Sequence, residues 1–196
     1  MELIEALTLP SPAIDEREIL RYAGCKENEE NVVKLLYEAL DEALPLLSYK
    51  VCFGELPLAF EEGGKCILGH MDLTSRSLAR HLKGCSRVIL FAATVGVGLD
   101  RAIAKYSRIS PAKAVMLQSI GAERIEALCD DFCEMIKEKK GEIRPRFSPG
   151  YGDLPLGVQR EIFDLLSPER RIGVCLNDSL LMSPSKSVTA FIGIPK

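Results

Sequence analysis

The amino-acid sequence predicts an α+β fold in which a mainly antiparallel sheet is flanked by helices. Strand-like and helical segments follow one another in mixed order, without the strict alternation of a doubly wound sheet. Two apolar runs meet at Gly63-Gly64, which is typical of a β-hairpin. The chain has 196 residues, about the length of one domain, so we expect a single domain over residues 1–196.

The helical segments follow from capping residues and from apolar spacing. Asp15 is suited to cap a short helix through Arg21, and Gly24 is suited to end it. The longest helix is predicted to start at Pro111 and run to about Lys139. Four further helices are predicted: Glu29–Leu44, Ser75–Leu82, a helix that follows Gly98 and runs through Tyr106, and Leu156–Leu166.

Strands are predicted where β-branched and apolar residues cluster between turn residues. The most strongly apolar run is Arg87–Thr94, which is typical of a buried strand. Ser187–Ile194 alternates between polar and apolar residues, as a strand does. The hairpin region contributes three more predicted strands, over Tyr49–Gly54, Leu58–Glu61 and Lys65–Met71.

Composition excludes several classes of protein. Hydrophobic residues make up 47% and charged residues 27%, an ordinary balance for a globular chain. The net charge of −3 argues against nucleic acid as a partner, and no run is apolar enough for a membrane span. The seven cysteines form no Cys-x-x-Cys pair, so neither a zinc knuckle nor a dithiol motif is supported. With an acidic N-terminus unlike a signal peptide, these features favour the cytoplasm.

Two motifs point only weakly to chemistry. Gly96-Val-Gly98 lies between a predicted strand and a predicted helix, where a dinucleotide fingerprint would stand, but Arg101 occupies the position of its third glycine. A tight turn is the simpler interpretation. The two histidines, His70 and His81, lack the neighbours of a metal or catalytic site. Cys129 and Cys133, four residues apart on the long helix, are interpreted as core or subsurface residues rather than a metal site.

The segment Arg144–Asp153 is the strongest candidate for a binding site. It combines two arginines, two aromatic residues, prolines and glycines in an irregular stretch. Guanidinium groups can hold a carboxylate in a bidentate fork, and aromatic faces can stack on a planar ring. The composition therefore suits a small zwitterion with a planar ring, although a rigid surface loop pinned by arginine–acid pairs would have the same composition.

Three ordered motifs resemble those of a known family. They are Arg146-Phe-Ser-Pro-Gly-Tyr-Gly-Asp153, Ile172-Gly-Val-Cys-Leu176 and Met182-Ser-Pro-Ser-Lys-Ser-Val188. Together they resemble the activation (reactivation) domain of vitamin B12-dependent methionine synthase, most closely over residues 141–194. No corrinoid-, folate- or homocysteine-binding domain is recognised in this chain. It is therefore similar to a free-standing form of that domain.

The resemblance implies binding of S-adenosylmethionine and support for the reductive methylation of oxidised cob(II)alamin, in the service of methionine biosynthesis. The cobalamin would be carried by a corrinoid-binding methyltransferase on a separate chain. A flavodoxin-like or ferredoxin-like protein would supply the electron. The chain would then act as a methyltransferase component with no catalytic side chain or metal of its own.

The resemblance also implies roles for particular residues. Arg146 would hold the methionyl carboxylate, while Ser148 and Gly150 would offer backbone contacts. Tyr151 would line the pocket and lie near the corrin. Glu126 would bind the amino group or brace Arg146. Residues 182–188 would form a supporting turn and strand rather than a contact.

Two alternatives to this function remain open at the level of sequence. The client could be another corrinoid methyltransferase. The chain could instead be a docking module without ligand binding, because the family carries a further ligand-contacting tyrosine beyond the point where this sequence ends.

Overall fold

The computed structural model describes residues 3–25 and 29–196; Met1, Glu2 and residues 26–28 lie outside the described residues. The strands are β1 (Ile4–Thr8), β2 (Lys50–Glu61), β3 (Lys65–Leu68), β4 (Met71–Thr74), β5 (Cys85–Thr94), β6 (Cys175–Leu176), β7 (Met182–Ser183) and β8 (Ser187–Pro195). The helices are α1 (Glu16–Ala23), α2 (Glu30–Ala43), α3 (Arg76–His81), α4 (Gly98–Ile109), α5 (Pro111–Lys140), α6 (Gln159–Leu166) and α7 (Pro168–Ile172). Short 3-10 turns cover Leu44–Leu46, Glu62–Gly64 and Leu156–Val158.

The central sheet has the order β4-β3-β2-β5-β8, and all of its pairs are antiparallel. β1 adds to the first half of β2, on the edge that β3 occupies further along. β6 and β7 form a separate two-stranded ribbon. The predicted α+β class with a mainly antiparallel sheet and flanking helices is confirmed.

Helices cover both faces of the sheet. The C-terminal part of α5 packs on one face through Ile125, Cys129 and Phe132. On the other face, residues of α3, α6 and α7 pack against Phe191 and the inward side chains of β2 and β5. The helices α1, α2 and α4 surround the N-terminal part of α5 and form a third cluster. β8 is therefore buried on both faces, which explains its apolar sequence.

The capping signals predicted the helix ends correctly. The Asp15 carboxylate accepts the backbone N–H groups of Arg17 and Glu18, and Gly24 ends α1 with a φ of 68°. Ser75 caps α3 in the same way, through its hydroxyl oxygen and the N–H of Leu78. The long helix α5 begins at Pro111, as predicted.

The strand predictions were wrong at three places. The predicted strand Lys65–Met71 is instead two antiparallel strands, β3 and β4, which a turn at Gly69-His70 connects. The two runs before Gly63 form one continuous strand, β2, with Pro57 inside it. Pro57 is tolerated because its carbonyl faces the β3 edge and accepts the N–H of Gly69, so the missing proline N–H faces away from β5. Residues Ile4–Thr8 form β1, whereas the first patterned segment of the sequence was interpreted as a helix.

A buried ion pair fastens the N-terminal segment to α5. Arg124, which is fully buried, pairs with Glu123 and donates to the carbonyl oxygens of Pro12 (2.7 Å) and Ala13 (2.5 Å). Glu123 in turn accepts the N–H of Asp15 at 3.0 Å. The charges are thus compensated inside the protein. Over the described ranges, no helix has the length and apolar character needed to cross a membrane.

Candidate functional site

The segment that the sequence singled out runs along the outer edge of β8. Phe147 and Phe191 exchange two backbone hydrogen bonds of 2.9 Å, and the N–H of Arg144 donates to the carbonyl of Gly193 at 2.8 Å. Successive side chains of an extended segment point to opposite faces. Phe147 accordingly packs in the cluster on the α6 face, while Arg146 reaches the α5 face.

The far end of this segment is tied to the start of α3. The Asp153 carboxylate accepts the hydroxyl of Ser75 at 2.5 Å and the N–H groups of Arg76 and Ser77 at 2.9 and 3.0 Å. These donors lower the pKa of Asp153 well below its ordinary range, the Ser75 hydroxyl having the largest effect. Gly152, at φ 58°, passes so close to Ser77 that a Cβ atom there would lie 2.5 Å from its hydroxyl. The segment is therefore held at both ends.

Between these two anchors lies a cavity of about 420 Å³. Its lining includes four of the predicted residues: Glu126, Arg146, Ser148 and Tyr151. Phe147, Pro149, Gln159, Met182, Ser187, Val188 and Thr189 complete the lining. The volume is in the range of small-molecule sites.

Arg146 is the charged centre of the cavity. Its Nη2 donates to Oε2 of Glu126 and its Nη1 to Oδ1 of Asp130, each at 2.5 Å, from carboxylates one turn apart on α5. Burial opposes the charged guanidinium, but the negative groups around it outweigh that effect and raise the pKa of Arg146. The side chain is about three-quarters buried, so it is held in one position as a permanent cation.

The cavity wraps around the edge of β8 and has two chemically different ends. Arg146 and Glu126 lie at the end on the α5 face. Ser187 and Thr189 alternate with Val188 along β8 and share the face of Phe191, where α6 brings Gln159. Glu126 and Arg146 are the charged residues among those that line the cavity, within the part of the chain that the structure describes.

Two buried oxygens at the neutral end have no hydrogen-bond partner among the described residues: Oε1 of Gln159 and Oγ1 of Thr189. The residues are 5% and 2% exposed. Sequence reasoning missed both of them. A usable signal was present, since a threonine two residues before Phe191 on an alternating strand places a hydroxyl on a buried face.

The structure places the other predicted residues as follows. Tyr151 is 67% exposed on the rim of the cavity. Gly150 is exposed and is not among the residues that line the cavity, and its N–H donates to the carbonyl of Leu154 at 2.9 Å. Its φ of 91° shows why a glycine is needed there. Residues 182–188 were predicted to form a supporting turn and strand rather than a contact. They contain β7 and the start of β8, and Met182, Ser187 and Val188 line the cavity.

The motifs with weak chemical signals have structural explanations. A Cβ on Gly96 would lie 2.5 Å from the hydroxyl of Ser48, and one on Gly98 would lie 2.5 Å from the carbonyl of Leu46. The close approach of residues 46–48 thus requires both glycines. Cys129 is fully buried in the core, where burial raises its pKa. His81 packs beside Phe147 and contacts the carbonyl of Pro145 at 2.6 Å.

Comparison with known proteins gives one family match, in the C-terminal part of the chain. The family described as vitamin B12 dependent methionine synthase, activation domain, matches residues 125–194. This range contains every predicted site residue. No curated protein matches the chain in sequence.

Among solved structures, the crystal structure of the MetH reactivation domain bound to AdoHcy is similar, with a TM-score of 0.71 and 16% sequence identity. The match covers 97% of this chain and 78% of that chain. At this identity the likeness establishes the fold. Residues 125–194 thus match the activation domain of vitamin B12-dependent methionine synthase, as the three motifs indicated, and the chain has the fold of a MetH reactivation domain.

Proposed function

We propose that this chain binds S-adenosylmethionine and supports the reductive methylation of cob(II)alamin held by a methionine synthase on a separate chain. The observation that carries the proposal is the fixed Arg146 guanidinium in a cavity within the family-matched region. The similar MetH domain was solved with AdoHcy, the demethylated form of this ligand.

The charged end of the cavity suits the amino-acid part of this ligand. A guanidinium has five N–H donors, and only part of this fork is used by Glu126 and Asp130. The remainder can hold the methionyl carboxylate. The second oxygen of Glu126, a residue whose side chain is 45% exposed, is available for the ammonium group. Glu126 would therefore both brace Arg146 and bind the ligand.

Net charge favours the methylated ligand. Arg146, Glu126 and Asp130 together carry one negative charge, whereas S-adenosylmethionine carries one positive charge from its carboxylate, ammonium and sulfonium groups. Transfer of the methyl group leaves an uncharged thioether, so the attraction is lost with the reaction. The charge balance therefore supports binding of the donor and release of the product.

The chemistry needs two partners. One electron from a flavodoxin-like or ferredoxin-like protein reduces Co(II) to Co(I), which takes the methyl group while the electron pair of the broken carbon–sulfur bond stays on sulfur. The part of this chain is to hold the sulfonium at the open side of the cavity. The exposed side chain of Tyr151, which lines the cavity, offers an aromatic surface that suits a corrin or the protein around it.

A reconstitution tests this function. The chain is mixed with a corrinoid methyltransferase held as Co(II), a reducing flavodoxin and S-adenosylmethionine, and methylcobalamin is followed by its absorbance. We expect methylcobalamin with the wild type and little with Arg146→Ala. Arg144→Ala is the matched control, because Arg144 lies two residues away and outside the cavity.

The two alternative functions, support of another corrinoid methyltransferase and docking without ligand binding, predict different results in the same assay. Methylation of a corrinoid protein other than methionine synthase would indicate the other client. Tight association without methyl transfer, unchanged in Arg146→Ala, would indicate a docking module and contradict the proposed function.

A further inference from the structure

The two oxygens without partners, Oε1 of Gln159 and Oγ1 of Thr189, both border the cavity at its neutral end. A buried polar group without a hydrogen bond costs free energy, and native proteins rarely retain one without a reason. Two of them on one cavity wall, from β8 and α6, indicate that a ligand supplies the missing partners.

The charge of the neutral end restricts the kind of ligand. The charged lining residues, Arg146 and Glu126, lie around the strand edge on the α5 face. An ammonium group is better satisfied by Glu126 than by a buried amide oxygen. The neutral end therefore suits an uncharged group with hydrogen-bond donors.

The edge of β8 adds a backbone donor and acceptor beside these side chains. Phe191 bonds to Phe147 on this edge, and Gly193 accepts from Arg144 there. The alternation of a strand places the N–H and C=O of Thr189 on the same edge. On this edge of β8, the β-bridge found within residues 3–25 and 29–196 joins Phe191 to Phe147. In the same described ranges, no strand pairs with Thr189 on this edge.

We propose that Gln159 and Thr189 form an adenine subsite. The base presents an amino donor next to ring-nitrogen acceptors, which a primary amide or a backbone N–H and C=O pair can match. The proposal rests on the proposed function, because the ligand would cross the edge of β8 with its amino-acid part at Arg146 and its base at Gln159. Phe147 and the exposed Tyr151, whose ring centroids lie 6.3 Å apart, add aromatic surface at the rim.

Gln159→Leu and Thr189→Val test the subsite by two readouts that move independently. Each substitution removes a buried polar group without a partner and keeps its approximate volume, so the melting temperature of the ligand-free protein should stay the same or rise. The affinity for S-adenosylmethionine and for adenosine should fall about 3- to 10-fold. Gln118→Leu and Thr74→Val, at exposed positions outside the cavity, should change neither affinity.

Inosine distinguishes the base from the ribose, because it differs from adenosine in carrying an oxygen in place of the amino group. We expect the wild type to bind inosine more weakly than adenosine and Gln159→Leu to lose this preference. Unchanged affinities in both variants would overturn the subsite. The subsite would also be overturned if Gln159→Leu weakened inosine and adenosine binding by the same factor. A fall in the melting temperature of the ligand-free variants would overturn it as well, because it would show that these residues have a structural role.

Failure of the proposed function gives a different result. If the wild type does not bind S-adenosylmethionine, that function is wrong, and titration with adenosine alone decides the subsite. Adenosine binding that both variants weaken would then support the subsite, and its absence would overturn it.

Discussion

The Nη2 atom of Arg146 lies 2.5 Å from Oε2 of Glu126, a residue 20 positions earlier in the chain. This contact joins the segment along β8 to the long helix α5. Together with Asp130 it fixes a cation at one end of a cavity whose other end is neutral. The ion pair thus gives the cavity its polarity, and the predictions that concern the ligand depend on it.

Glu126 and Asp130 both brace Arg146, but only Glu126 lines the cavity. We expect Glu126→Gln to weaken S-adenosylmethionine binding about 3- to 10-fold, since it loses a half-exposed contact with the ligand ammonium as well as the brace. Asp130→Asn loses the brace alone and should cost less than about 3-fold. Calorimetric titration measures both, with the exposed neighbour substitution Asp131→Asn as control. Equal losses of affinity in Glu126→Gln and Asp130→Asn would show that Glu126 does not contact the ligand.

The tie between Asp153 and the start of α3 should depend on pH. Because the folded protein lowers the pKa of Asp153, the tie stabilises the fold fully above the ordinary value of 3.8 and is lost as the pH falls from there toward the lower folded value. Asp153→Asn should therefore lower the melting temperature at neutral pH. The difference in melting temperature between Asp153→Asn and the wild type should become smaller below about pH 4.

Thermal unfolding of both proteins between about pH 6 and pH 3 measures this difference. Asp164→Asn, at an exposed position of α6, serves as the control. A gap that stays constant with pH would show that the Asp153 carboxylate does not contribute through its charge.

Gly96 and Gly98 should be required for close packing against residues 46–48 and not for binding a dinucleotide. A Cβ on Gly98 would lie 2.5 Å from the Leu46 carbonyl oxygen, so Gly98→Ala should destabilise the protein by about 1–3 kcal/mol. A Cβ on Gly157 meets nothing within 4 Å, and Gly157→Ala should be close to neutral. Urea denaturation compares the two. Saturable NAD binding by the wild type, abolished in Gly98→Ala, would instead support the dinucleotide interpretation.

Removal of the buried guanidinium of Arg124 should be costly. Arg124→Ala leaves Glu123 charged and buried and frees the carbonyls of Pro12 and Ala13, which we expect to cost about 3–5 kcal/mol. Arg21→Ala removes an exposed pair with Glu18, which water and salt screen, and should cost much less than Arg124→Ala. Chemical denaturation measures both. A small loss for Arg124→Ala would mean that the N-terminal segment is held mainly by apolar contacts.

The sequence predicts those parts of the fold whose causes are local. Asp15 and Gly24 specify the ends of α1 through capping, and Gly63-Gly64 specifies the hairpin. The sequence analysis divided β2 into two runs, and the continuity of β2 through Pro57 depends on which edge of the strand the missing N–H faces. That edge is set by the neighbouring strands and cannot be read from spacing.

Some residues of the candidate site could likewise be predicted from the sequence, and others could not. Arg146 and Tyr151 stand in one motif and can be found from sequence. Glu126 was proposed from the resemblance, and its contact with Arg146 becomes visible only when α5 and β8 are packed together. The alternation of β8 predicts that the Thr189 hydroxyl lies on a buried face, but the absence of hydrogen-bond partners for Gln159 and Thr189 is a property of the folded chain alone.

The central claim is that Arg146 holds the carboxylate of S-adenosylmethionine, and calorimetric titration of the purified chain tests it most directly. We expect saturable binding by the wild type and by Arg144→Ala. Arg146→Ala should bind about 10- to 150-fold more weakly, because it loses charge-assisted hydrogen bonds to a carboxylate. Equal affinity of Arg146→Ala and wild type, with the fold intact by circular dichroism, would contradict the account.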